Sequence, residues 1–161
     1  MPSIQDKPTM MFPVIPRRTG ALLLALSAMM LSPQASATTI LFVGNSFTYG
    51  AGAPAVEGFR PHTVTDLNGT NIGGVPALFK AMTVQAGLDY EVSLETRGGA
   101  GLDFHYKERH DVIARPWDIV LLQGYSTLDQ DAPGDPAKLI HYSGLLAKVL
   151  HQHNPKVDAR L

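Results

Sequence analysis

The chain has 161 residues, a formal net charge of −1, 45% hydrophobic residues and no cysteine. This composition suits one globular domain with a hydrophobic core of useful size. The near-neutral charge gives no reason to expect nucleic acid or an anionic membrane surface as a partner. The lack of cysteine excludes disulfides, thiolate catalysis and cysteine-based zinc sites.

The first 37 residues have the pattern of a bacterial-type secretory signal peptide behind a short extension. Arg17 and Arg18 precede an apolar run over residues 21–31, and Ala35-Ser36-Ala37 supplies the small residues before a cleavage site. The run is too short to span a bilayer as a helix, which needs about 20 residues. We therefore predict cleavage after Ala37, a secreted or periplasmic protein that meets the membrane only through this peptide, and one domain over 38–161. An uncleaved anchor or a buried core helix is the alternative.

An apolar run from Thr39 to Val43 leads into Gly44-Asn45-Ser46. Such a run, closed by a turn, predicts a buried strand of a parallel sheet. Ligands of open α/β sheets bind beyond the carboxyl ends of the strands, where Ser46 falls. A serine on a sharp strand-to-helix turn presents its hydroxyl beside backbone N–H groups that can stabilise an oxyanion. Ser46 is therefore a candidate nucleophile, and a simple helix cap at Asn45 or Ser46 is the alternative.

The next elements follow from local patterns. Residues 49–74 are rich in Gly, Pro, Asn and Thr, which predicts a long loop over the site. The apolar spacing from Val75 to Ala86 predicts a helix that ends at Gly87. The alternation from Tyr90 to Thr96 predicts a second strand, nearer the sheet edge.

A glycine-rich turn follows that strand, with Gly98 and Gly99 placed to let backbone N–H groups approach an anion. It lacks the Gly-Lys-Ser/Thr ending of a phosphate loop, so nucleotide binding fits poorly. Residues 103–114 then predict a polar, solvated helix. His105 and His110 lie five positions apart on different faces, which argues against a metal site.

A third apolar strand runs from Ile119 to Leu122 and ends in Gln123-Gly124, at the same sheet edge as Ser46. A side-chain amide there can donate to developing negative charge, and a cap of the next loop by Gln123 is the alternative. Asp135-Pro136 predicts the start of a helix that runs to about His153. Residues 156–161 then predict the beginning of a fourth strand.

Three of these stretches resemble sequence blocks of the SGNH/GDSL hydrolase superfamily. Residues 40–48 resemble the first block, in its Gly-Asn-Ser form rather than Gly-Asp-Ser. Residues 97–102 resemble the second, in which a glycine amide contributes to the oxyanion hole; Gly99 matches best and Gly98 next. Residues 123–126 resemble the third: most members have Gly-x-Asn-Asp, but Gln-Gly-Tyr-Ser is similar to the Gln-Gly-Glu-Ser form of acetylesterase-like branches. The resemblance to that form gives the amide-donor role to Gln123. The chain departs from the commoner form in that Ser126 occupies the position of the asparagine.

The resemblance implies a flavodoxin-like three-layer α/β/α fold with a central parallel sheet. It also implies a serine hydrolase, an esterase or acetylesterase that acts on small-molecule or carbohydrate esters without a metal or organic cofactor. Ser46 would be the nucleophile, and the amides of Ser46 and Gly99 with the side chain of Gln123 would form the oxyanion hole. Other residues near the substrate would be Asn45, Phe47, Gly98 and Gly124.

The family's fourth block, Asp-x-x-His, supplies the base and does not occur in this sequence. The resemblance thus covers residues 39 to about 161, roughly the N-terminal half to two-thirds of such a domain. We expect an incomplete sheet, and a fragment that is inactive or nearly so, because a hydroxyl nucleophile is weak without a base. The alternatives are a non-catalytic exported domain that binds a carbohydrate or acyl ligand, and a flavodoxin-like nucleotide-binding module.

Overall fold

The computed structural model describes residues 36–161. The predicted N-terminal extension and signal peptide therefore lie outside the described residues, apart from Ser36 and Ala37. Across the described part of the chain, no helix has the length and apolar character needed to cross a membrane.

Five strands and six helices follow one another along this part of the chain. The strands are β1 (Thr38–Gly44), β2 (Thr65–Asp66), β3 (Tyr90–Thr96), β4 (Ile119–Leu122) and β5 (Asp158–Arg160). The helices are α1 (Ser46–Tyr49), α2 (Pro54–Glu57), α3 (Gly74–Gln85), α4 (Leu102–Glu108), α5 (His110–Ile113) and α6 (Ala137–His153), and a 3-10 helix spans Pro61–Thr63.

The strands form one parallel sheet in the order β2-β3-β1-β4-β5. β1 lies at the centre, with Gly44 opposite Thr96 of β3 and Val43 opposite Leu122 of β4. Because the strands are parallel and in this register, the turns that follow β1, β3 and β4 meet at one edge of the sheet. The predicted α/β fold with a central parallel sheet is confirmed.

Two hydrophobic cores cover the two faces of the sheet. Leu41 and Val43 of β1 pack with residues of α4, α5 and α6, among them Leu146. Ile40 and Phe42, the alternate residues of β1, pack on the other face with Phe79 of α3. Successive side chains of a strand point to opposite faces, so the almost uninterrupted apolar sequence of β1 is what a strand between two helical layers requires.

Two segments differ from the sequence predictions. Residues 49–74 do not form one loop, since they contain α2, the 3-10 helix and the edge strand β2. Each of these elements has four residues or fewer, too short for a hydrophobic period to be read. The helix predicted over 103–114 is broken at Arg109, which leaves helical geometry with φ −127° between α4 and α5.

Candidate functional site

Ser46 is the first residue of α1 and follows the central strand directly. It is partly exposed at the carboxyl edge of the sheet. Among residues 36–161, no acceptor takes its backbone N–H and no group forms a hydrogen bond with its hydroxyl. Both groups are therefore available to a ligand.

Asn45 is the N-cap of α1 and joins the three strand ends around Ser46. Its side chain is 2% exposed, and its Nδ2 donates to Ala100 O at 2.9 Å and to Gly124 O at 3.0 Å. Its Oδ1 accepts from the N–H of Phe47 at 3.2 Å. The capping role considered for Asn45 is thus present, and both amide hydrogens are used within the fold. Phe47 itself is 67% exposed at this edge.

Gln123 faces the same turn from the end of β4. Its Oε1 accepts from the N–H of Asn45 at 2.9 Å and from Thr48 Oγ1 at 2.8 Å. A backbone N–H can only donate, so the atom that faces it must be the oxygen and the orientation of the amide is fixed. Nε2 donates one hydrogen to Gly124 O at 2.6 Å, and no acceptor takes the other within residues 36–161.

The glycine turn after β3 supplies further donors at this edge. Gly98 and Gly99 are exposed, and within residues 36–161 no acceptor takes either backbone N–H. Gly99 has φ +70°, a left-handed conformation that glycine adopts without strain. Arg97 N donates to Gly44 O at 3.0 Å and anchors the start of this turn beside β1.

The structure thus brings Ser46, Gly98, Gly99, Gln123 and Gly124 to one edge of the sheet, as the sequence predicts. It links no histidine to Ser46 by a hydrogen bond within the described part of the chain. In the same part, no cluster of three or more histidine or acidic side chains is arranged to hold a metal ion.

The prediction that His105 lies on a solvated helix is wrong. The side chains of His105 and Glu95 are both 0% exposed, and His105 Nδ1 lies against Glu95 Oε2. Arg109 Nε donates to Glu95 Oε1 at 2.9 Å, while His105 Nε2 donates to Gly44 O at 2.9 Å. A charged residue inside a strand needs a partner when buried, so Glu95 within the pattern of β3 is the signal that could have indicated this cluster.

Two depressions flank the loop after β4. An apolar groove of about 510 Å³ lies beside Gln123, and its walls include Phe42, Leu121, Leu122, Tyr125, Leu139 and Leu161. A smaller polar recess of about 100 Å³ contains Asp103, Asp129 and Lys138. The hydrogen bond from Lys138 lowers the pKa of the Asp129 carboxyl below its usual range and keeps this pair charged.

The chain is similar in structure to the crystal structure of TesA. The TM-score is 0.54 at 17% sequence identity, and the match covers 76% of this chain and 58% of that chain. The two proteins share a fold. This is an α/β fold with a central parallel sheet. The chain spans less than two thirds of the length of TesA, and neither a family model nor a curated protein matches it.

Proposed function

We propose that this chain carries the nucleophile of an exported SGNH-type ester hydrolase, an esterase or acetylesterase for small-molecule or carbohydrate esters. The observation that carries the proposal is the convergence of Ser46 with three donors at one edge of the sheet. The N–H groups of Ser46 and Gly99 have no acceptor among residues 36–161, and the fixed amide of Gln123 keeps one N–H free.

In this reaction Ser46 Oγ attacks the acyl carbonyl, the ester C–O bond breaks and the alcohol leaves, so that an acyl-serine remains. The donors of Ser46, Gly99 and Gln123 stabilise the oxyanion of the tetrahedral intermediate; loss of one such donor typically lowers the rate by about 10²–10³-fold. A base must take the proton of Ser46, pass it to the departing alkoxide oxygen so that the alcohol leaves, and later activate water. Because no histidine is bonded to Ser46 within residues 36–161, we expect this chain to be acylated slowly and to turn over more slowly still.

The test is to incubate the chain with p-nitrophenyl acetate and to locate the acetyl group by intact-mass and peptide mass spectrometry. We expect acetylation at Ser46 that added imidazole accelerates, since imidazole can serve as the missing base. Ser46→Ala should abolish the modification. Ser143→Ala, which removes a hydroxyl that donates to Ile140 O on α6, should leave it unchanged. Equal acetylation of the wild-type and Ser46→Ala chains would contradict the proposal.

The second candidate, a non-catalytic domain that binds an acyl or carbohydrate ligand, is favoured by the apolar groove beside Gln123. It predicts saturable binding of a short fatty acid or an acetylated sugar without any acyl-serine, and equal affinity in Ser46→Ala. Titration calorimetry with both ligands distinguishes it from the hydrolase, whose acetylated form should appear in the mass spectrum.

Export is part of the proposal and has its own test. When the full chain is produced in a bacterium, we expect the periplasmic fraction to contain a product that begins at Thr38. Leu24→Arg places a charge in the apolar segment of the signal sequence and should keep the protein in the cytoplasm at its uncleaved mass. A cytoplasmic, full-length wild-type chain would refute export.

A further inference from the structure

The peptide group between Gly44 and Asn45, directly before Ser46, is held on both sides. Its carbonyl oxygen accepts from His105 Nε2 at 2.9 Å and from Arg97 N at 3.0 Å. Its N–H donates to Gln123 Oε1 at 2.9 Å. This one peptide group therefore connects His105 to the side chain that is the candidate oxyanion donor.

Behind His105, a chain of polar contacts continues to the partly exposed Arg109. A carbonyl oxygen only accepts, so Nε2 carries a hydrogen, while Nδ1 lies against Glu95 Oε2. Arg109 holds the other oxygen of Glu95 and also donates from Nη2 to Asn68 Oδ1 at 3.0 Å. Burial of ionisable groups is costly unless a partner lies beside each of them. Here His105 Nδ1 lies against Glu95 Oε2, and Arg109 donates to Oε1.

We propose that His105 is a positioning residue for the oxyanion site, an inference that rests on the proposed function. Donation to the oxygen of a peptide polarises its N–H, and hydrogen bonds in a chain strengthen one another. Such a chain runs from Arg109 through Glu95 and His105 to the Gly44–Asn45 peptide and Gln123, with His105 Nδ1 against Glu95 Oε2 as its middle contact. His105 thereby holds Gln123 Oε1 against Asn45 N, which leaves one Nε2–H for an acyl oxygen.

Two substitutions at one position separate this role from general stabilisation. The amide of His105→Gln reaches Gly44 O, because Gln Nε2 extends as far as histidine Nε2. The shorter side chain of His105→Asn keeps a polar contact with Glu95 but cannot reach Gly44 O. His110→Asn is the matched control, at a partly exposed histidine on α5 whose side chain contacts Asp111.

The first measurement does not depend on any enzymatic activity of the chain. ¹⁵N–¹H spectra of the full chain show the side-chain amide signals, and comparison with Gln123→Asn assigns those of Gln123. We expect His105→Asn to shift these Gln123 signals. Hydrogen exchange at Asn45 N should accelerate by about tenfold or more. His105→Gln and His110→Asn should retain the wild-type signals. Identical spectra for His105→Asn and His105→Gln would overturn the proposal.

The second measurement is the rate of Ser46 acetylation by p-nitrophenyl acetate as a function of its concentration. We expect His105→Asn to lower the maximal rate about tenfold at an unchanged half-saturating concentration, less than the 10²–10³-fold loss typical of removing a donor outright. A lower melting temperature with an unchanged acetylation rate would refute a positioning role. If the wild-type chain is not acetylated, the proposed hydrolase function fails, while the spectra still decide whether His105 positions Gln123.

Discussion

Steric room, as much as hydrogen bonding, limits which residues can stand beside Ser46. Gly44 has no room for a side chain, because an added Cβ would overlap Thr48 Oγ1 and lie 2.7 Å from Gln123 Oε1. Asn45 fills its position with one acceptor and two donors, all of them used. The Gly-Asn-Ser turn is therefore a packed unit in which only Ser46 remains free.

Gly44→Ala should disturb this unit. A side chain forced into a filled site typically costs about 1–3 kcal/mol, and here it would also push Thr48 and Gln123 apart. We expect a lower melting temperature together with slower acetylation of Ser46. The control is Gly144→Ala in α6, where nothing lies within 4 Å of the added Cβ. Since alanine is the better helix former by about 1 kcal/mol, that variant should be as stable as the wild type or more so. A Gly44→Ala protein with wild-type stability would show that the turn has room to adjust.

Asn45→Ala tests whether the Asn45 side chain holds the carboxyl ends of β1, β3 and β4 together. It leaves Ala100 O without its donor and removes one of the two donors of Gly124 O, which still accepts from Gln123 Nε2. An unsatisfied buried group costs about 1–3 kcal/mol, so we expect the free energy of unfolding in urea to fall by about that amount. Gln152→Ala, on an exposed part of α6, should change it by less than about 0.5 kcal/mol. Equal stability of the two variants would mean that Asn45 does not tie the edge together.

At the level of the elements, one carboxylate organises β2 and its turn, beside the packing of Leu67 and Ile72 on the two cores. Asp66 Oδ1 accepts from Asn68 N at 2.9 Å, and Oδ2 accepts from Thr70 N at 2.9 Å, Thr70 Oγ1 at 2.7 Å and Ile72 N at 3.2 Å. Asn68 in turn donates to Thr96 O at 3.0 Å and so attaches the turn to β3. The segment is ordered by local polar bonds, which hydrophobic periodicity does not reveal.

The same carboxylate predicts a pH dependence of stability. Burial raises the pKa of Asp66, but the hydrogen bonds from Thr70, Asn68 and Ile72 outweigh it and hold the pKa below its ordinary value of 3.8. A carboxyl whose pKa is lower in the folded state stabilises the protein above its unfolded-state pKa and loses this effect as the pH falls through the folded-state value.

We therefore expect Asp66→Asn to be less stable than the wild type at pH 7, because its amide nitrogen would face donors. The difference should shrink as the pH falls below about 3.8, when the wild-type carboxyl takes up its proton. Urea unfolding across this pH range measures it, with the fully exposed Asp111→Asn as the control. A stability difference that stays constant with pH would rule out a role for the charge.

For the molecule as a whole, the sheet order determines where stability is concentrated. β1 is paired on both sides and lies between the two cores, whereas β2 has two residues, and β5 has three and pairs with β4 alone. We expect the amides of Leu41 to Val43 to exchange with solvent only on global unfolding, and those of β5 to exchange through local opening. Hydrogen exchange with mass spectrometry measures both. If the amides of β5 were as well protected from exchange as those of β1, contacts other than these would have to cover the sheet edge at β5.

The sequence by itself determined the layered architecture. Apolar runs and periods predicted β1, β3, β4, α3 and α6 and placed Ser46, Gly99 and Gln123 at one sheet edge, because burial between layers selects side chains within a short window of sequence. Only the tertiary structure decided how the polar residues are placed and bonded: it buries His105, it connects Asn45 to the turns after β3 and β4, and it orients the amide of Gln123. It also decided the formation of strand β2. The physical reason is the distance between partners along the chain. His105 bonds a residue 61 positions away and Gln123 one 78 positions away, so each polar group has its partner only once the strands lie side by side.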